Sequence, residues 1–384
     1  MSDAATSGAG AVSGFADERF AAVRDVFASQ LANGADLGGS VAITVDGQMV
    51  VDLWGGFADE ARTRPWAEDT IVNVYSVTKT MTALTALLLA DRGELDFDAP
   101  VARYWPEFAA SGKAAVKVSH LMAHTSGLSG WKAPMTGADL YDWEKATSLL
   151  AAQAPFWEPG SASGYHGVTQ GYLVGEVVRR ITGRSLGEVF REEIAEPLGA
   201  DFHIGFGPEH DHRVADLIPP PPVQPEPGVV LSELLMNIVV NPGLDPLATR
   251  ARAWRAAEIP AAGGHGNARS IAKVHALLAG GGFANGKRLM SEAGCRKALE
   301  LQSEGTDLIL GVPARFGLGF GLPGEWLRTP NPDSLFWCGW GGALAVIDMN
   351  ARTSFAYAMN RMGVAPIVDD RGLALAKAMW SAQH

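Results

Sequence analysis

Apolar and polar positions change their period several times along this chain, and each change marks an element. Residues 15–31 (FADERFAAVRDVFASQL) carry apolar side chains at helical spacing, which predicts an amphipathic helix closing near Gly34. Residues 40–45 are β-rich, Asp46-Gly47 is a hairpin turn, and residues 49–54 form the returning strand. Residues 80–95 (TMTALTALLLADRGEL) differ in kind. They are rich in Met, Leu and Ala and lack Pro, which predicts a buried helix of about four turns that stops near Gly93. Helical stretches then dominate at 118–124, 142–153, 168–182 and 185–194, with Gly and Pro between them. Residues 218–228 (IPPPPVQPEPG) are too proline-dense for a helix or an inner strand and predict a stiff extended loop. Residues 244–257 are helical again, and the glycine-rich turn Ala262-Gly263-Gly264-His265-Gly266 follows.

The last third changes character. Residues 316–322, 335–340, 343–348 and 353–359 alternate or run apolar between turn residues, as successive antiparallel strands do, and 371–382 closes the chain as a helix. Strands at both ends with helices between them predict an α/β (α+β) fold: one antiparallel sheet built from both chain ends, flanked by helices, plus an inserted mostly helical region. The expected division is a disordered tail at 1–14, an α/β part made of 15–95 and 260–384, and a helical part at 96–259, with an active site between the two parts.

The chain's 384 residues suffice for a large core, and 47% hydrophobic with 19% charged residues is a globular balance. A formal charge of −11 argues against nucleic acid, whose phosphates need clustered Lys and Arg. Two cysteines, Cys295 and Cys338, make no disulfide framework and fit a reducing compartment. The first fourteen residues have neither the basic start nor the apolar block of a secretion signal, and no apolar run is long enough for a membrane span. The expected location is cytoplasmic. Neither a metal nor a cofactor is implied: His210-Asp211-His212 lies in a charged loop, and no Glu follows His120 as a zinc helix would require.

Candidate chemistry centres on Ser76-Val77-Thr78-Lys79. Ser76 falls at the mouth of the buried helix, where unpaired backbone N–H groups favour a developing negative charge. Lys79 stands one turn on, so its amine can lean back to the hydroxyl, and apolar neighbours favour loss of its proton. The bare pattern is weak, since Ser270-Ile271-Ala272-Lys273 matches it equally well; its surroundings predict an ordinary surface-helix start. A nucleophilic serine also needs a base and an oxyanion hole. Tyr165, in the loop Ser163-Gly164-Tyr165-His166-Gly167, can project into a cleft, and an adjacent ammonium would ease its ionisation. The glycines of Cys338-Gly339-Trp340-Gly341-Gly342-Ala343 let backbone approach a ligand closely.

With these residues in order, the chain resembles the serine β-lactamase-like superfamily, in the class C fold used by family VIII carboxylesterases and related transesterases. The resemblance covers nearly everything after residue 15. Ser76-Val77-Thr78-Lys79 is similar to the first motif, Tyr165-His166-Gly167 stands for Tyr-x-Asn, and Trp340-Gly341-Gly342 for Lys-Thr-Gly. The stretches 120–128 and 260–266 look like framing stretches. The resemblance implies an acyl-enzyme on Ser76, with Lys79 and Tyr165 sharing general base and acid work. It also implies an oxyanion hole of the Ser76 and Ala343 N–H groups, and a pocket of Tyr75, His166, Gly167, Trp340, Gly341 and Gly342. Trp in place of Lys and Gly167 in place of Asn make that pocket less polar, which favours uncharged esters with small or medium acyl groups. Trp54, Trp131, Trp157 and Trp337 are candidate apolar walls. The expected partner is a small-molecule ester, with neither nucleic acid nor membrane. The alternatives are a β-lactamase, D-aminopeptidase or D,D-peptidase, an acyl transferase, and a binding protein whose chemistry has lapsed.

Overall fold

The structure is a computed structural model, and it describes residues 10–221, 232–365 and 367–383. From the N-terminus the chain runs β1 (Ser13–Ala16), α1 (Ala21–Ala32), β2 (Gly38–Val45), β3 (Gln48–Gly56), β4 (Val72–Asn73) and α2 (Thr78–Asp91). Next come α3 (Val118–Met122), α4 (Trp143–Ala152), α5 (Thr169–Thr182), α6 (Leu186–Phe190), α7 (Glu196–Leu198), β5 (Phe202–Ile204), α8 (Glu233–Val240) and α9 (Arg252–Ala256). The last third holds β6 (Gly264–Gly266), α10 (Ala268–Ala279), the small pair β7 (Phe283–Ala284) and β8 (Lys287–Arg288), and α11 (Glu292–Arg296). Then follow β9 (Ser303–Thr306), β10 (Pro313–Phe316), β11 (Ser334–Cys338), β12 (Leu344–Asp348), β13 (Thr353–Met359) and α12 (Asp370–Ser381).

One antiparallel sheet in the order β1-β3-β2-β13-β12-β11 joins the two chain ends, as the strand pattern predicts. Asp46 and Gly47 both take positive φ, the geometry that lets a two-residue turn match the twist of β2 and β3. Both faces of the sheet are covered. From β13, Ser354 donates to the Ala272 carbonyl of α10, whereas Tyr357 packs beside Gly372 of α12. Double burial explains why β13 runs apolar without alternation.

Two expectations need correction, and part of a third lies outside the described residues. Ser13 and Gly14 are not tail: β1 pairs them with Trp54 and Leu53 of β3, while residues 1–9 lie outside the described residues. The helix expected over 15–31 starts only at Ala21, because residues 13–16 complete the sheet edge and Glu18–Phe20 forms a single 3₁₀ turn. Part of the proline-dense segment, 222–228, also lies outside the described residues.

The decoy serine belongs to α10, a buried helix under the sheet and not a surface one. Ser270 accepts from the Asp201 N–H at 3.0 Å and donates to Asn267 at 2.7 Å, far from Lys79 in role. Ser270→Ala should therefore leave turnover unchanged while lowering stability by about 1 kcal/mol, read as a Tm drop of a few degrees. A comparable loss of activity would return this serine to the list of nucleophiles.

Candidate active site

Strand β4 delivers the chain to α2 through a sharp corner. Tyr75 adopts φ +43°, a left-handed conformation that a bulky residue takes only when its surroundings hold it there. Its ring is wedged between Trp254 and Trp340, and Asn73 accepts its backbone N–H. The corner presents Ser76 at the mouth of α2. Ser76 Oγ lies 3.0 Å from Lys79 Nζ and accepts from the Tyr165 hydroxyl at 2.7 Å. Three tips from two distant stretches of chain thus meet at one oxygen.

Lys79 is fully buried along a helix whose every residue from Thr78 to Leu89 is buried. Its amine donates to Gly167 O at 2.7 Å and Ala261 O at 2.9 Å. Burial drives its pKa well below the ordinary lysine value, the nearby Cys338 acting weakly the other way. A neutral amine has two N–H donors and one lone pair. The two carbonyls can only accept, so they take both donors and leave the lone pair for the Ser76 hydroxyl.

Residues 260–264 make this possible by wrapping around the start of α2. Thr82 donates to Pro260 O, Asn73 to Ala262 O, and Thr78 accepts from Gly264 N. Helix α5 closes the other side, and a Cβ at Gly171 would stand 2.4 Å from Ala261 N, so only glycine allows that approach. The stretch 260–266, expected only to frame the site, supplies one of the two carbonyls on Lys79. Gly167, expected as pocket lining, supplies the other.

The Tyr165 loop is held by Asp307, which the sequence left unmarked, and by His124 of the expected framing stretch 120–128. Buried Asp307 accepts the N–H groups of Tyr165, Ile309 and Leu310. His124 Nδ1 accepts from His166 N, and the His124 ring meets the rings of Tyr165, Phe316 and Trp337. Burial, first of all, raises the Tyr165 pKa above the ordinary phenol value, against the expectation that it would ionise more easily. Burial thus favours the protonated phenol, whose hydroxyl donates to Ser76 Oγ.

Several expected pocket residues stand elsewhere. His166 is buried; its Nδ1 donates to Gly164 O at 2.6 Å and its Nε2 accepts from Ser126 at 2.7 Å. Burial pushes its pKa down to about 3, so it is a neutral brace for the loop. Tyr75 is likewise core, its hydroxyl buried without a partner. The strand beside Ser76 is β11, which ends Trp337-Cys338; Trp337, Cys338, Gly339 and Trp340 line the Ser76 cavity, and Gly341 and Gly342 do not. A Cβ at Gly339 would stand 2.2 Å from Val74 O, the close approach that brings this strand onto the nucleophile corner. Gly341 and Gly342 lie behind it: the Gly341 carbonyl accepts from Arg371 and Gly363 N, and Gly342 abuts Arg371 and Asp369. Ala343 is buried at the head of β12 and hands its carbonyl to Gly339 N.

Ser76 and Tyr165 open into a cavity of about 180 Å³ walled by Trp326, Phe336, Trp337 and Trp340. Across Trp340 lies a second cleft of about 370 Å³, between Trp131, Gly167 and Val168 on one side and Ile238 and Leu244 on the other. Asn241 ties that side down by donating to the Trp131 and Ala133 carbonyls. Of the four expected tryptophan walls, Trp131 and Trp337 face these spaces. Trp157 instead packs on Gly164, and Trp54 sits under Arg269. Cys338 lines the smaller cavity with its thiol pKa pushed up to about 12 by burial, so it is not a nucleophile. His210 and Asp211 are engaged by Arg213 and by Arg252 and Arg255.

The beta-lactamase family matches residues 23–378. The chain belongs to the beta-lactamase family. Among its relatives is the Esterase/beta-lactamase LipL of Mycobacterium tuberculosis, 37% identical over 371 residues, covering 93% of this chain and 84% of LipL. Esterase EstB of Burkholderia gladioli is 36% identical over 207 residues, covering 49% of this chain and 52% of EstB. The crystal structure of a family VIII carboxylesterase superposes with a TM-score of 0.92 at 43% identity, covering 97% of this chain and 99% of the other. A penicillin-binding protein homologue from Caulobacter crescentus reaches a TM-score of 0.89 at 40% identity, covering 97% and 99% of the two chains. This beta-lactamase family member is a serine hydrolase of α/β fold. Among the described residues no helix is long and apolar enough to cross a membrane.

Proposed function

We propose that the protein is a carboxylesterase that hydrolyses short- to medium-chain esters through an acyl-enzyme on Ser76. The observation that carries this reading is the convergence of Lys79 Nζ and Tyr165 OH on Ser76 Oγ, at the floor of an apolar cavity. Ser76 Oγ attacks the ester carbonyl as neutral Lys79 takes its proton. We place the oxyanion against the backbone N–H of Ser76 and, on the strand side, that of Trp340 in place of the expected Ala343, because Trp340 lines the Ser76 cavity and Ala343 does not. Tyr165 passes its proton to the leaving alcohol and recovers one from Lys79, the two titrating as a coupled pair. Water then releases the acid by the reverse relay.

Two features favour esters over lactams. Among the described residues lining the Ser76 cavity and the cleft beside Gly167 there is no Lys or Arg to meet a carboxylate. Gly167 offers no side-chain amide to an acylamino group. The apolar cleft between Trp131 and Ile238 suits a plain acyl chain. A panel of p-nitrophenyl esters of rising chain length, run beside nitrocefin, tests this. Efficiency should rise from acetate to a medium chain and fall again for palmitate, with nitrocefin at least about 100-fold below the best ester in kcat/KM. Nitrocefin turnover matching the best ester would overturn the assignment.

A further inference from the structure

The paired glycines after Trp340 do not line the Ser76 cavity, and what they admit lies on their far side. Gly341 and Gly342 take φ of +97° and +130°. A Cβ at Gly342 would stand 2.8 Å from Nη2 of Arg371, which lies in the first turn of α12. That guanidinium has no room to retreat. Its side chain is only 12% exposed, and its N–H groups are committed to four stretches of chain. Nη1 reaches the Ala35 and Arg361 carbonyls and the Asp36 carboxylate at 3.2, 2.8 and 2.9 Å. Nε and Nη2 pair with the two Asp369 oxygens at 2.8 and 3.0 Å, and Nη2 also donates to the Gly341 carbonyl at 2.8 Å. Gly363 N is a second donor to that carbonyl, at 2.7 Å.

The held carbonyl belongs to the turn that joins β11 to β12. Gly342 N donates to Gly339 O at 3.0 Å, and Gly339 N to Ala343 O at 2.7 Å. A trans peptide shows its N–H opposite its carbonyl. With the Gly339 carbonyl turned inward to Gly342, the Trp340 N–H points out of the turn, where it meets no acceptor among the described residues. Gly339 and Trp340 both line the Ser76 cavity, in which this N–H is placed against the oxyanion. We propose that Arg371 is a positioning residue: by holding the Gly341 carbonyl it fixes the turn that aims the Trp340 N–H at the reacting carbonyl. The proposal rests on the esterase reading above only for its substrate, since any acyl transfer at Ser76 builds the same oxyanion. A donor helps the reaction only when it already stands where charge develops, so a turn free to swing loses rate and not substrate binding.

Arg371→Lys keeps the charge beside Asp36 and Asp369 but cannot reach both of them and Gly341 O at once. On p-nitrophenyl butyrate its kcat/KM should fall roughly 10- to 100-fold, part of the weight of one oxyanion donor. Butaneboronic acid, whose tetrahedral adduct on Ser76 sets an oxygen against the two N–H groups, should lose affinity by the same factor. Butyl phenyl ether has no carbonyl and reads only the shape of the site, so it should bind within about threefold of wild type. Asp369→Asn loosens the hold on Nε and Nη2 and should show the same split at roughly three- to tenfold. It decides the matter should Arg371→Lys not fold. Unchanged boronate affinity, or equal losses for the boronate and the ether, overturns the positioning role. Wild type that binds the boronate yet hydrolyses no ester overturns the esterase reading alone, and the boronate-to-ether ratio still judges Arg371.

Discussion

Ser76→Ala is expected to lower ester turnover by a factor on the order of 10⁵ or more, with the fold intact. Among the described residues no other serine or threonine hydroxyl bonds to Lys79 or Tyr165. Ser270, the sequence's second match to the pattern, spends its hydroxyl on Asn267 and on the Asp201 N–H. The substitution leaves the Tyr165 hydroxyl without its acceptor and Lys79 without one neighbour, a cost of about 1 kcal/mol that a protein of this size bears without unfolding. A fluorophosphonate probe supplies a second readout. Wild type and Ser270→Ala should each gain one adduct by mass, and Ser76→Ala none. A variant retaining a tenth of the activity, or an adduct mapped to another residue, would place the nucleophile elsewhere.

How much of this site a reader of the sequence can reach depends on whether the signal is a side chain. Ser76, Lys79 and Tyr165 announce themselves because their chemistry is carried by residue type. The carbonyls of Gly167 and Ala261 do the equally necessary work of orienting the lysine, and a backbone oxygen leaves no mark on composition. Asp307 is legible only as one acid among 42 acidic residues, since its partners are N–H groups of a loop some 140 positions away. Along Trp337-Cys338-Gly339-Trp340-Gly341-Gly342 residue type alone does not show where the cavity ends: the first four residues line it and the last two do not. At the level of fold, α2 and the β2–β3 hairpin are read correctly because burial and turn geometry there are local. The helix expected over 15–31 begins late because Ser13–Ala16 is claimed by β3, a partner roughly 40 residues distant that no local period reveals.

Lys79→Ala is expected to cost roughly 10²–10⁴ in kcat, and its more telling effect is on the pH profile. In wild type the amine must be neutral to accept the Ser76 proton, so kcat/KM should rise with pH through the lowered Lys79 pKa and then level off. No fall should follow in the neutral to mildly alkaline range, because burial raises the Tyr165 pKa and keeps its proton in place. Removing the amine should remove the acid limb together with the rate. Stability offers an independent check with the sign fixed by linkage. A lysine whose folded-state pKa lies below its unfolded value of about 10.4 binds fewer protons when folded, so stability rises with pH between the two values. Wild type should therefore gain stability relative to Lys79→Met as pH climbs through that window, measured by denaturant unfolding at a series of pH values. An acid limb that survives in Lys79→Ala, together with parallel stability curves, would mean that the amine is charged in the folded protein. The first proton would then have to go to Tyr165, which the burial of its ring opposes.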